Sequence, residues 1–279
     1  MTDSSLATPA TASTLALEER RRSLIQSFGI RERILYKLSM KPADVSPFGY
    51  EAGVSGEWDH ETALSLLRTE FPDFDDMIRG RRVMDYGCGD GFQSIAMAKS
   101  GAAEVFGVDI TAPRLEHARQ MAAGLPNIRF STALERDGFD VVISQNSFEH
   151  FPDPAKNLDE MVAAIRPGGR ILITFGPLWL APYGAHMHFF TRCPWVNILF
   201  PEATVFRVRS LYRSDGSTRY FPGLNKMTLR KFERLVRLSG VRCVWRRYHA
   251  TANLPIVCRV PGLRELLTRQ VSCILTKDR

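Results

Sequence analysis

Apolar and polar positions alternate along this chain in two rhythms. Short, near-continuous apolar runs recur at Arg82–Tyr86, Glu104–Ile110, Ile128–Ser131, Phe139–Ser144 and Arg170–Phe175. Such runs suit strands covered on both faces, as in a parallel sheet. Between them lie helical patterns: Phe92–Ser100 closed by Gly101, Pro113–Ala123 closed by Gly124, and Lys156–Ile165 ended by Arg166-Pro167-Gly168-Gly169. Strand and helix at this spacing predict βαβ units with right-handed crossovers. Residues 176–225 break the rhythm with prolines, glycines and aromatics in no clean period. It resumes with a helix from Thr228 to Ser239, a strand at Val241–Tyr248, a short helix at Leu263–Leu267 and a strand at Val271–Thr276. The expectation is an α/β fold with a seven-stranded, mostly parallel, doubly wound sheet. An N-terminal helical segment precedes it, and an insertion follows strand 5.

Upstream, residues 1–15 are rich in Ser, Thr, Ala and Pro and read as a disordered tail. Leu17–Leu38 turns helical, with a break at Gly29. Met40–Trp58 reads as a loop that could act as a lid, holding Phe48, Tyr50 and Trp58, and His60–Leu67 as a helix. Residues 16–75 are thus expected to form a helical lid segment and 76–279 the main domain, with 176–225 covering a substrate.

Composition narrows the class. The 279 residues are 44% hydrophobic and 24% charged, which is ordinary for a globular chain. No apolar run reaches the ~18 residues of a membrane span; Ile171–Phe190, the longest, is broken by Gly176, Pro177, Pro182 and Gly184. No secretory signal is evident, and the five cysteines are scattered without a C-x-x-C. Both points favour the cytoplasm over a disulfide scaffold or a zinc site. The net charge of +7 is uneven: residues 200–279 hold 17 Lys/Arg against 5 Asp/Glu. That basic part could face an anionic acceptor or surface, or form a solvated face.

The chemistry centres on Asp85-Tyr86-Gly87-Cys88-Gly89-Asp90-Gly91-Phe92. An apolar strand runs into glycines, which allow positive φ and leave no Cβ between chain and ligand, and then into a helix N-terminus. A dinucleotide turn, G-x-G-x-x-G, would put its third glycine at Phe92. The acid two residues before Gly87 also disfavours a pyrophosphate, so a nicotinamide cofactor is only an outside possibility.

The D-x-G-C-G-x-G pattern resembles motif I of the class I S-adenosylmethionine (SAM)-dependent methyltransferases of small-molecule type. The resemblance covers residues 60–175 closely and 226–279 in pattern only. It implies SAM as cofactor, with Asp85 and the Gly87 backbone at the amino-acid end and Cys88, Gly89 and Gly91 forming the turn. Asp109, at the end of strand 2, would bind the ribose hydroxyls, and Ile110 would pack on the adenine. The acid such enzymes often carry after strand 3 is missing; Glu135 could replace it only if the register slips. The loop Ser144–Pro154, with Gln145, Asn146 and His150, would line the methyl-transfer site. It lacks the [N/D]-P-P-aromatic tetrapeptide of base-amino methyltransferases, which argues against a nucleic-acid substrate.

If the acceptor is a hydroxyl, a base must take its proton, and histidine suits this. The candidates are His150, His186 and His188; the H-x-H pair could equally be hydrogen-bonded within the insertion, and no acid or cysteine cluster accompanies it to hold a metal. The leading expectation is methylation of a small molecule, at a hydroxyl oxygen of a sugar or secondary metabolite. The alternatives are a lipid-linked or macromolecular acceptor, or a non-catalytic SAM-binding partner.

Overall fold

A computed structural model of the chain describes residues 12–42, 60–136, 138–251, 260 and 262–278. The aromatic loop with Phe48, Tyr50 and Trp58 lies outside them, as does most of the expected tail. α1 (Ala12–Gln26) starts inside that tail, where the Ala/Leu content favours helix, and Gly29 separates it from α2 (Ile30–Lys37). α3 (His60–Glu70) and α4 (Phe74–Ile78) lead into β1 (Arg82–Tyr86). Then come α5 (Phe92–Lys99), β2 (Glu104–Val108), α6 (Ala112–Met121), β3 (Ile128–Ser131) and β4 (Phe139–Gln145). α7 (Pro154–Ala164) starts at a proline and is capped by Asp153, whose side chain accepts from the Lys156 N–H. It runs into β5 (Ile165–Phe175).

The inserted stretch carries α8 (Val196–Leu199) and α9 (Glu202–Arg209). The chain ends with α10 (Leu229–Leu238), β6 (Arg242–Ala250), α11 (Leu263–Leu267) and β7 (Thr268–Thr276). Thr228 caps α10 through its hydroxyl, as its position predicts.

The seven strands form one sheet in the order β3-β2-β1-β4-β5-β7-β6, with β7 antiparallel to both neighbours. The expected strands are all present. β5 starts earlier than the Pro-Gly-Gly run suggests, because the pairing jumps from Phe139↔Ile165 to Val141↔Arg170 and absorbs the turn as a bulge.

Alternate residues of the central strands feed two cores on opposite faces. Met84, Val142, Ile171 and Ile173 pack with Phe148 and Phe232 on one side. Val83, Val141, Ile143 and Leu172 pack with α3 and α5 on the other. This two-sided burial is why these strands read as continuous apolar runs. A third core ties Phe28 and Leu35 of the N-terminal helices to Val196, Val205, Phe206 and Tyr212. The N-terminal helices therefore brace the insertion. Tyr212 donates to the Met40 carbonyl at 2.6 Å and the Met40 N–H donates to the Phe190 carbonyl at 2.8 Å, closing that contact.

Candidate active site

The glycine turn sits at the C-terminal edge of β1, where open α/β sheets bind ligands. Gly87, Gly89 and Gly91 all have positive φ (80°, 54° and 77°). The N–H groups of Gly87 and Cys88 both reach the Val108 carbonyl, at 2.8 and 3.1 Å, which pins the turn to the end of β2. A Cβ on Gly87 would lie 2.8 Å from Ser147, and one on Gly91 2.8 Å from Ala118 and 2.9 Å from the Phe130 ring. Only glycine fits at either place.

Two acids frame the turn. Asp109 accepts the Gly89 N–H at 2.9 Å on one oxygen and the Thr111 N–H at 2.8 Å on the other. It joins the turn to the start of α6 while each oxygen keeps a free lone pair. Ile110 beside it is 89% exposed. Asp85 is buried, and Ser94 of α5 donates to it at 2.5 Å. Burial pushes the Asp85 carboxyl up to about 6; the Ser94 hydroxyl opposes this and the Asp109 charge adds to it. Cys88 is buried in a small core with Ile95, Leu115 and Phe130, which raises its thiol pKa. Glu135 is engaged by Arg129, leaving Thr132 and Ala133 at the end of β3 where the acid was sought.

The segment after β4 closes over the turn. Gln145 accepts from the Gln93 amide at 3.2 Å, and Asn146, at φ 51°, donates its N–H to the Thr174 carbonyl at 2.8 Å. Ser147 Oγ donates toward the Gly87 carbonyl at 3.0 Å. Sequence reasoning missed Ser147, and it missed Asn225. The Asn225 amide donates to the carbonyls of Phe148 (2.8 Å) and Phe151 (2.9 Å), and its N–H donates to that of Glu149 (2.9 Å). One asparagine from the end of the insertion thus holds the whole 148–151 turn. Glu149 in that turn is buried, with Oε2 lacking a partner among the described residues and burial holding its carboxyl above the usual range.

The structure brings two of the three histidines together. His150 and His186 meet edge to face, ring centroids 5.4 Å apart at 83°. His150 Nδ1 lies 2.6 Å from the Gly223 carbonyl. His186, at φ 54°, faces the Pro177 carbonyl, while its buried Nε2 has no partner among the described residues. A carbonyl only accepts, so in each ring the nitrogen facing it carries the hydrogen and the other offers a lone pair. Burial, with the neighbouring His150, pushes His186 down to about 4, which leaves it neutral at ordinary pH. His188 is exposed and stacks edge-on with Tyr183 at 4.9 Å. The H-x-H pair is therefore split between inside and outside.

His150 and His186 line a cavity of about 470 Å³, whose other walls include Met187, Phe189, Phe206 and Tyr220. Tyr220 Oη is likewise buried without a partner among the described residues. Among the described residues no helix is long and apolar enough to cross a membrane.

The comparisons agree with this geometry. A family profile described as a methyltransferase domain matches residues 79–177, from just before β1 into the start of the insertion. The ubiquinone biosynthesis O-methyltransferase of Neisseria meningitidis serogroup C is 33% identical over 129 residues, covering 43% of this chain and 54% of that protein. This chain thus spans about half the length of that curated relative. An uncharacterized methyltransferase of Mycobacteroides abscessus is 29% identical over 211 residues, 71% of this chain and 77% of its own length. Among solved structures, an S-adenosylmethionine-dependent methyltransferase from Mesorhizobium loti shares the fold with a TM-score of 0.52 at 19% identity, covering 80% of this chain and all of that one. Residues 79–177 thus match a methyltransferase domain, and the sheet that carries them shares its fold with the Mesorhizobium loti S-adenosylmethionine-dependent enzyme.

Proposed function

We propose that this chain methylates a hydroxyl oxygen of a small molecule, using SAM held on the glycine turn. The residues present fit that cofactor. At Gly89 a Cβ would meet only Arg114 Nη1, at 3.5 Å, so the middle of the turn is open to a ligand. Asp109 keeps lone pairs for ribose hydroxyls, and exposed Ile110 offers an uncovered apolar surface for a base. Bound there, the sulfonium supplies an activated methyl group.

What remains for the protein is to align the acceptor, exclude water and hold a proton. The acceptor would sit in the cavity lined by His150 and His186. As its oxygen gains the methyl group, the O–H becomes far more acidic than an imidazolium. Even the weakly basic Nε2 of His186 can then take the proton, while Pro177 and Gly223 fix the two rings. His188, outside the cavity, has no role in this reading. The observation that carries the proposal is the imidazole pair, each ring tethered by a backbone carbonyl with a nitrogen lone pair left over.

The test separates binding from chemistry. His186→Ala and His150→Ala should leave the affinity for S-adenosylhomocysteine within about twofold while slowing turnover about 10²-fold or more. Unchanged turnover in both variants would remove the pair from the mechanism.

A further inference from the structure

The cavity beside the histidines continues along the insertion. It shares Phe206, Gly216, Ser217 and Thr218 with a second hollow of about 400 Å³. That second hollow is lined by Arg20 of α1, Arg207 of α9 and Arg213 beyond it, with Ser210 and Ser214 between them. Arg209 and Arg219 line the first. Among the described residues neither lining contains an aspartate or glutamate.

The Arg207 guanidinium is held in place with little loss of charge. Arg207 Nη2 donates to the Ser27 carbonyl at 3.1 Å and to Ser27 Oγ at 2.9 Å, both neutral partners. Arg213 lies 4.4 Å over the Phe189 ring. Arg209 is the member matched by an acid, Asp215, at 2.5 Å. Among the described residues no carboxylate pairs with Arg20, Arg207 or Arg219, and each keeps N–H donors to offer. A cleft lined by one sign of charge concentrates the opposite ion.

From this we infer that the second hollow binds a phosphoryl group. Resting on the methyl-transfer reading, it makes the acceptor a hydroxy compound that carries a phosphate or diphosphate, with its hydroxyl at the histidine pair and its anion among the arginines. Several guanidinium forks and four nearby hydroxyls (Ser210, Ser214, Ser217 and Thr218) suit an anion with three or more oxygens better than a single carboxylate. The N-terminal helices acquire a purpose, since Arg20 and the Ser27 anchor for Arg207 both come from α1 and its end.

The experiment is calorimetry of the full chain with inorganic pyrophosphate, against acetate at equal ionic strength. Saturable pyrophosphate binding should weaken about tenfold or more in Arg207→Gln and in Arg20→Gln, and stay unchanged in Arg234→Gln on the solvent face of α10. Exposed Arg20 keeps the test open should Arg207→Gln fold poorly. A second arm measures flotation with phosphatidylglycerol and with phosphatidylcholine vesicles. Arg-dependent flotation with the anionic vesicles alone would identify the phosphoryl source as a lipid headgroup; pyrophosphate binding without flotation would identify a free phosphoryl compound. Pyrophosphate binding no tighter than acetate together with no flotation, or binding indifferent to both substitutions, overturns the inference. S-adenosylhomocysteine is titrated in parallel; its failure to bind while pyrophosphate binds would sink the methyl-transfer reading and leave the anion site standing.

Discussion

His150 and His186 stand 36 positions apart in sequence, yet their rings lie 5.4 Å apart, edge to face. One comes from the turn after β4 and the other from the insertion after β5. Their meeting joins the sheet edge to the insertion. It also sets a pH behaviour. His186 is held down to about 4 by burial and by His150, so it is neutral and able to accept a proton through the physiological range. If His186 takes the acceptor's proton, turnover contains no acid limb of its own near the free-histidine value of ~6.5. The limb it contributes falls toward pH 4. A limb near 6.5 that vanishes in His186→Gln would contradict this.

Asp85 predicts a pH effect on stability. Its folded pKa of about 6 lies above the unfolded value, so the folded state binds the proton more tightly. The stability it contributes is present below pH ~4 and is lost as pH rises through about 6, a change of about 3 kcal/mol. Asp85→Asn keeps an acceptor for Ser94 and removes the charge. Urea unfolding at pH 4.5 and pH 8 should show the variant gaining on the wild type at the higher pH. A difference between the two proteins that does not change with pH would show the carboxylate to be ionised at no cost.

Gly87 predicts a steric coupling. Gly87→Ala places a Cβ 2.8 Å from Ser147 Cβ and Oγ, at a φ of 80°. The cost is about 1–3 kcal/mol from strained backbone together with overpacking. Adding Ser147→Gly should return part of the loss, because it removes the atoms in the way. Thermal unfolding of the two single variants and the double variant measures it; purely additive losses would mean the turn and the 147 position do not press on each other.

Asn225 predicts a positioning effect. Its side chain and N–H hold three carbonyls of the turn that carries His150. Asn225→Ala should cost about 1–3 kcal/mol of stability and lower kcat more than it raises the acceptor KM, with S-adenosylhomocysteine affinity unchanged. A loss in cofactor affinity equal to the loss in kcat would place the defect in the glycine turn instead.

Much of this molecule is legible along the chain because the signals are local. Val83–Met84 and Val141–Val142–Ile143 alternate between two cores, so their strands had to be apolar throughout. The glycines at 87, 89 and 91 announce positive φ by their spacing alone. Ser147, Glu149 and Asn225 had no such signal, since each acts through partners distant in sequence. The H-x-H motif reads as a pair, but the left-handed turn at His186 separates its ring from that of His188. The amphipathic pattern around Phe28 and Leu35 shows a face to be covered without naming what covers it; only the tertiary structure supplies the insertion as its partner. The basic C-terminal part, for its share, pairs Arg230 with Glu265, Arg242 with Asp278 and Arg264 with Glu233.

The central claim is that a hydroxyl held between the glycine turn and the two imidazoles receives a methyl group. Incubation of the chain with methyl-labelled SAM and a small-molecule extract of its native host, read by mass spectrometry, tests it most directly. The account predicts label in a low-mass O-methyl product, and its loss in His150→Ala/His186→Ala while S-adenosylhomocysteine still binds. Label that moves as fast in the double variant, or that never leaves SAM although the cofactor site is filled, would contradict it.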